Sequence, residues 1–243
     1  MKAAEADMVM EQQGAGLANP PLSYAEHLSA QIGLAKRKGE RTRLRLKAAA
    51  ARLLGEVGYR DLRVSDIHED ADVSNALFYV YFKNKEEISQ EVLDGFLAFL
   101  EGFPERERPL ETRFASIAHG NLRYAQMFQA NAGLMRCVFQ FADEFPDFAA
   151  KWHAWNARWR ERTTRALLRQ RDIALKDRVE IDVAVTALGS MVDAFLRLAF
   201  IENEPTIAGT RYADDPAALA DLLTKLWLRA LFAPDPEDGS AKK

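Results

Sequence analysis

The chain has 243 residues, 48% hydrophobic and 28% charged, with a formal charge of -3, so it can bury one large core or two small ones. A single cysteine, Cys137, excludes a disulfide framework and a thiolate cluster, and His27, His68, His119 and His153 lack ligand spacing, so no metal or other cofactor is expected. No run approaches the roughly 20 apolar residues of a membrane span, and no signal-peptide pattern opens the chain, so a cytoplasmic location without membrane association is expected.

The average charge hides two opposed blocks. From Lys36 to Arg63 there are ten Lys/Arg against three acids, a local net of +7, whereas Val64 to Phe103 holds nine acids against Lys83 and Lys85, a net of -7. A basic stripe in a mildly acidic protein is a candidate footprint for a polyanion, with a solvated helix face as the alternative.

In chain order, residues 1 to about 20 are small, polar and glycine-interrupted, and they read as disordered. Tyr24, Leu28 and Ile32 fall at i, i+4 and i+8, giving a short helix. Glu40 to Val57 is a longer one, apolar along Leu44, Ala48, Ala51 and Leu54 and ended by Gly58. Ser65 to Ala71 is a short helix, and a turn at Asp72-Val73-Ser74 follows it. Lys85 to Phe103 carries a helical stripe (Ile88, Val92, Phe96, Phe99) closed by Pro104, and Glu105 to Pro109 is a charged linker. Beyond it every segment has helical periodicity: Phe114 to Phe128, Leu134 to Phe141, Glu144 to about Arg171 with Phe148, Trp152, Trp155 and Trp159 in one aromatic stripe, Val179 to Ile201, and Pro216 to Phe232. The fold class is therefore all-α, with about nine to ten helices. No glycine-rich phosphate loop, nucleophile elbow or internal repeat occurs, and no catalytic constellation, so the chain does not read as an enzyme.

The segment Leu77-Phe-Tyr-Val-Tyr-Phe82 has strand propensity but no partner strand in an otherwise helical chain. Placed on a helix from Asn75, it resolves into faces. Phe78 and Phe82 pair at i, i+4 on one side and can pack on Ile67, Ala71 and Val73. Asn75 and Tyr79 lie on one flank, Leu77 and Tyr81 on the other. Two short helices joined by a tight turn after a basic helix form a helix-turn-helix.

At these residues the chain resembles the TetR/AcrR family of bacterial regulators. The run Leu53 to Glu86, "LLGEVGYRDLRVSDIHEDADVSNALFYVYFKNKE", carries the resemblance at Gly58-Tyr59, Asp66-Ile67, Ala71, Val73-Ser74, Phe78-Tyr79, Phe82 and Lys85-Glu86. It departs from the family pattern at four places. Asp72 stands for the turn glycine, His68 for a small residue, and Arg63-Val64 for a hydroxyl cap, leaving Ser65 as the nearest substitute. Leu77 stands where a threonine or serine commonly touches phosphate.

The helix after the turn enters the major groove with its first residues at base edges. Asn75 suits a bidentate pair with adenine, Ala76 and Val80 suit a thymine methyl, and Tyr79 and Tyr81 supply hydroxyls. Lys85, Arg41, Thr42, Arg43, Arg63 and Ser65 are the phosphate candidates. Each has a bland alternative as a cap, surface or core residue.

The expected organisation is an extension over 1–35, a helix-turn-helix domain over 36–88, an effector-binding and dimerisation domain over 89–234, and a flexible tail over 235–243. A single helix-turn-helix reads few base pairs, so a homodimer on a twofold operator is expected, with Val183, Ala187, Val192, Leu198, Leu219, Leu223 and Leu226 as interface candidates; an ordinary core is the alternative. The resemblance implies an effector cavity walled by Trp152, Trp155 and Trp159 and faced by Phe128, Met135, Phe139, Met191 and Phe195, with Asn121, Asn156 and Asp193 as polar groups. Such a lining suits a hydrophobic or aromatic small molecule. The implied function is a ligand-released repressor; the alternatives are a DNA-binding regulator without effector, or a helical carrier or enzyme.

Overall fold

The computed structural model describes residues 22–102, 113–170, 173–175 and 177–232. The expectations for residues 1–20, for the linker at 105–109 and for the tail at 235–243 lie outside the described residues.

Within them the chain is entirely helical, with eleven α-helices and one π-helical turn. They are α1 (Tyr24–Leu34), α2 (Lys38–Asp61), α3 (Val64–Asp70), α4 (Asn75–Tyr81), α5 (Lys85–Glu101), α6 (Arg113–Ala130), α7 (Ala132–Glu144), α8 (Pro146–Leu167), α9 (Arg178–Arg197) continued by the π turn Leu198–Glu202, α10 (Arg211–Asp214) and α11 (Pro216–Phe232). The helix missed from sequence is the single turn α10, too short to show a period. Thr210 caps it through a hydrogen bond accepted from the Tyr212 amide.

Capping chemistry sets most boundaries. Gly58, at φ 79°, breaks the helical path of α2 near its end, a left-handed conformation that glycine adopts without a Cβ clash. Ser74, Asn84 and Asp177 accept the amides of Leu77, Glu87 and Glu180 and so start α4, α5 and α9. Pro146 opens α8 in the first turn, where its missing N–H costs nothing.

Three helices, α2, α3 and α4, make the head. Their shared core is Leu46, Ala50, Leu54, Leu62, Ile67, Phe78 and Phe82, all nearly inaccessible. The long α2 also packs on α7 of the body. There Gly133 lies directly on the Gly55 backbone, where any Cβ would collide with it, and the Cys137 thiol donates to the Leu54 carbonyl at 3.4 Å. Burial pushes the Cys137 thiol above its usual range.

Helix α1 lies across head and body. Tyr24 and Leu28 are buried, and the Tyr24 ring packs against Phe96 and Phe99 of α5. The carboxamide of buried Asn131, at the α6–α7 corner, accepts from the Tyr24 amide and donates to the carbonyls of Leu22 and Met127, each at 2.8 Å.

Candidate nucleic-acid interface and helical body

The turn between α3 and α4 is held by backbone and side chain together. Val73 N–H donates to the His68 carbonyl at 3.0 Å, and Asp72 adopts the left-handed backbone at φ 50°. The Arg45 guanidinium supports that strained residue by donating to the Asp72 carbonyl at 3.2 Å and to its carboxylate at 3.0 Å. Aspartate replaces glycine in the turn with an arginine as its partner.

Phe78 and Phe82, ring centroids 5.9 Å apart, fix α4 to the head. The opposite face is bare: Asn75, Ala76, Tyr79 and Val80 are exposed, Tyr79 by 55% and Val80 by 73%. Tyr81 is half-buried, with its hydroxyl against Gly39 at the start of α2. Leu77 is half-buried, and its amide is the one that Ser74 caps. Arg63 and Ser65 are exposed at the start of α3, and Arg41 is exposed at the start of α2, where it donates to the Ala35 carbonyl at 3.2 Å.

Four of the sequence expectations need correction. The Lys85 ammonium donates to the carbonyls of Tyr59, Arg60 and Leu62 at 3.1, 3.2 and 3.1 Å and sits over the Tyr59 ring, so its three donors close the end of α2 and leave none for a phosphate. Arg43 is likewise committed. It pairs with Glu91 of α5, donates to the Tyr81 carbonyl at 3.4 Å and lies over the Phe82 ring at 4.7 Å. Glu91 also pairs with Lys47 at 3.2 Å; despite its burial, hydrogen bonds and charge from Arg43 and Lys47 hold its carboxyl below the usual range. Thr42 donates to the Lys38 carbonyl, one turn back on its own helix. Ser65 caps nothing: its hydroxyl donates to Asp66, and α3 starts at Arg63 without a side-chain cap.

Lys83, absent from the sequence candidates, follows α4 with an exposed side chain, and Lys36, Arg37 and Lys38 open the basic stripe seen in the sequence. These three form an exposed basic corner between α1 and α2, beside the Tyr81 contact with Gly39. The signal for Lys83 was present in the pair Lys83-Asn-Lys85; spacing alone does not say which lysine turns inward.

In the body, the aromatic stripe of α8 faces inward. Trp152 and Trp155 stack at 5.1 Å, Phe139 meets Trp152 edge-on at 6.0 Å, and Trp159 meets Trp227 of α11 at 6.3 Å. Phe128 and Met135 are fully buried, whereas Phe139, Trp159, Met191 and Phe195 keep part of their surface accessible. Asn121 donates to Thr224 at 3.0 Å, and Asn156 is turned back to the Trp152 carbonyl of its own helix. Asp193 accepts from the Tyr124 hydroxyl at 2.7 Å.

Residues 46–92, which span most of the head and the start of α5, match the family described as bacterial regulatory proteins, tetR family. Over 206 residues the chain is 22% identical to the HTH-type transcriptional regulator EthR of Mycolicibacterium smegmatis, covering 83% of this chain and 91% of that protein. Over residues 46–92 the chain therefore carries a head of the tetR-family type. Solved structures share its fold. A protein of Mesorhizobium loti assigned to this family superposes with a TM-score of 0.61 at 18% identity, covering 82% of this chain and all of that one. NalD of Pseudomonas aeruginosa, described as the secondary repressor of the MexAB-OprM multidrug efflux pump, gives 0.58 at 19% identity, covering 81% and 99%.

The remaining candidates are those for pairing with a second copy, and here the expectations divide. Val192, Leu219 and Leu223 are at most 5% exposed and belong to the core of the chain itself, so they are not available to a partner. Leu198 is half-buried in the π turn. Val183 is 64% exposed, Ala187 is exposed, and Leu226 is 38% exposed. With Val179, Ser190 and Ala194 they leave an open, small-residue face along α9. The stretch Arg178–Glu202 is long and apolar enough to cross a membrane, with a mean hydropathy of 1.6, yet only 22% of its most apolar window is buried within the chain.

Proposed function

We propose that this transcriptional regulator binds a twofold operator as a homodimer and acts as a cytoplasmic repressor released by a small hydrophobic molecule. The observation that carries the reading is the outer face of α4. Asn75, Ala76, Tyr79 and Val80 stand exposed on a helix clamped from behind by Phe78 and Phe82. Exposing Tyr and Val on a rigid helix is unfavourable in water and becomes favourable against base edges and thymine methyls. Arg41, Arg63, Lys83 and the Lys36-Arg37-Lys38 corner flank that face with cations suited to phosphates.

The open face of α9, extended by Leu226, supports the dimer: two copies joined along it would cover the apolar surface that one chain leaves bare. The half-buried aromatic residues between α7, α8 and α9 support an apolar effector. Release follows from a population shift, since a ligand that fits only the conformer with misplaced heads lowers operator affinity by its differential affinity for the two states. Body and head are connected by the continuous helix α5, by the packing of α2 on α7 and by α1, which lies on both.

The test is titration of wild type and Asn75→Ala against operator variants. The substitution is expected to cost about 1–3 kcal/mol at one base pair per half-site and to relax preference there. An unchanged base preference removes Asn75 from the reading face.

A further inference from the structure

The outer face of α4 is reached from the body by a chain of contacts along α1. At the α6–α7 corner the Asn131 carboxamide accepts the Tyr24 amide and donates to the carbonyls of Leu22 and Met127, each at 2.8 Å, which ties the first turn of α1 to the end of α6. Helix α5 carries a slot for the same residue. Gly95, in its interior, lies against the Tyr24 hydroxyl, where any Cβ would collide with it, and the Tyr24 ring is held by Phe96 at 5.5 Å and Phe99 at 5.4 Å. His27, one turn on, meets Phe99 at 4.9 Å. At its other end α1 passes into α2 through Ala35, Lys36 and Arg37 alone. This junction is fixed too: Ala35 N–H donates to the Gln31 carbonyl at 3.1 Å, and the Ala35 carbonyl accepts from Arg41 of α2 at 3.2 Å. Gly39, in the first turn of α2, touches the Tyr81 hydroxyl of α4.

We propose that α1 is a strap that fixes the angle of the head against the body, with Tyr24 and Asn131 as positioning residues for DNA reading, and that in the homodimer it sets the half-site spacing the two heads accept. The inference rests on the dimeric operator reading above and adds what holds the heads at one separation. Apolar contacts alone let a helix slide, because they carry little direction. Asn131 removes that freedom, since a shift of α1 would strand a buried carboxamide and its three partners without hydrogen bonds. The slot at Gly95 removes it in a second direction, because the Tyr24 hydroxyl fits only where α5 has no side chain. A glycine inside a helix weakens that helix relative to alanine, and seating Tyr24 gives the position its reason. Because α1 joins α2 through three residues and α2 touches Tyr81, a displaced α1 tilts the reading helix. Two half-sites about one turn apart, roughly 34–36 Å, are then met at one head angle only.

Gly95→Ala fills the slot while favouring α5 itself, and adding Tyr24→Phe removes the hydroxyl and reopens the space. The head angle is read in the full chain without DNA by pulsed electron spin resonance, with labels at Glu69→Cys on α3 and His153→Cys on α8, both exposed, and with labelled chains diluted in unlabelled ones; Cys137 is buried. The expected result is one narrow distance distribution in the otherwise wild-type chain, at least about twofold wider in Gly95→Ala and in Asn131→Ala, and narrow again in Gly95→Ala with Tyr24→Phe. Selection from random duplex DNA should give one half-site spacing for the wild type, several for Gly95→Ala, and one again for the double variant. The proposal is overturned if the wild-type distribution is broad, if hydrogen exchange across Tyr24–Leu34 quickens while the distance distribution or the spacing stays single, if neither substitution alters that exchange, or if Tyr24→Phe does not restore the narrow distribution. Should the variants fail to fold, wild type in mild denaturant decides: the distribution must widen as α1 opens, and widening only at global unfolding overturns the proposal. Because the angle is read without DNA, a strap that behaves as expected in a protein that enriches no site would sink the operator reading and leave this one standing.

Discussion

Lys85 illustrates how one side chain changes its role when its surroundings are known. Its ammonium closes three carbonyls at the end of α2, so replacing it with methionine leaves those acceptors without their donor. The expected outcome for Lys85→Met is a loss of about 1–3 kcal/mol in denaturant unfolding, with the salt dependence of DNA binding unchanged; a flattened salt slope at unaltered stability would return Lys85 to the phosphate contacts. Asp193 gives a prediction in pH. Its carboxyl is raised from 3.8 to about 6, so folding favours the protonated form. That contribution is fully present below the unfolded value and is lost as pH rises through about 6. Asp193→Asn keeps an acceptor for Tyr124 and removes the charge, so it should raise stability by about 1–3 kcal/mol at pH 7.5 and by little at pH 4. An equal effect at both pH values would show that the charge is not the cause.

At the scale of elements, periodicity was readable wherever one face is buried and the other wet. Phe78 with Phe82, and Tyr24 with Leu28, lie inward as their spacing implied. Partnerships between distant elements were not readable, because no local pattern records them: Arg43 with Glu91, Lys85 with the end of α2, and Gly133 against Gly55 are set by how helices cross. The same holds for α1, whose attachment depends on Asn131, more than a hundred residues away. Asn131→Ala would leave a buried amide and two carbonyls without partners. It should cost about 1–3 kcal/mol and speed hydrogen exchange across Tyr24–Leu34 more than across α4. Uniform exchange with unchanged stability would mean that α1 is held by its apolar contacts alone.

On the scale of the whole molecule, the all-helical layout was legible in periodicity along the chain, and the position of the head in residues 53 to 86. Which side of α9 and α11 faces out was not. Both helices are apolar on more than one side, so spacing could not separate Val192 and Leu223, which fill the chain's own core, from Val183 and Ala187, which remain open. In the proposed dimer, a second copy paired along the open face would give a molecule with two reading helices and a twofold axis. The most direct measurement is selection of bound fragments from random duplex DNA by the full chain, followed by sequencing. The expected result is an inverted repeat whose half-sites are centred about one helical turn apart, roughly 34–36 Å, or a multiple of it. A single unrepeated site, or no enrichment at low salt, would contradict the account.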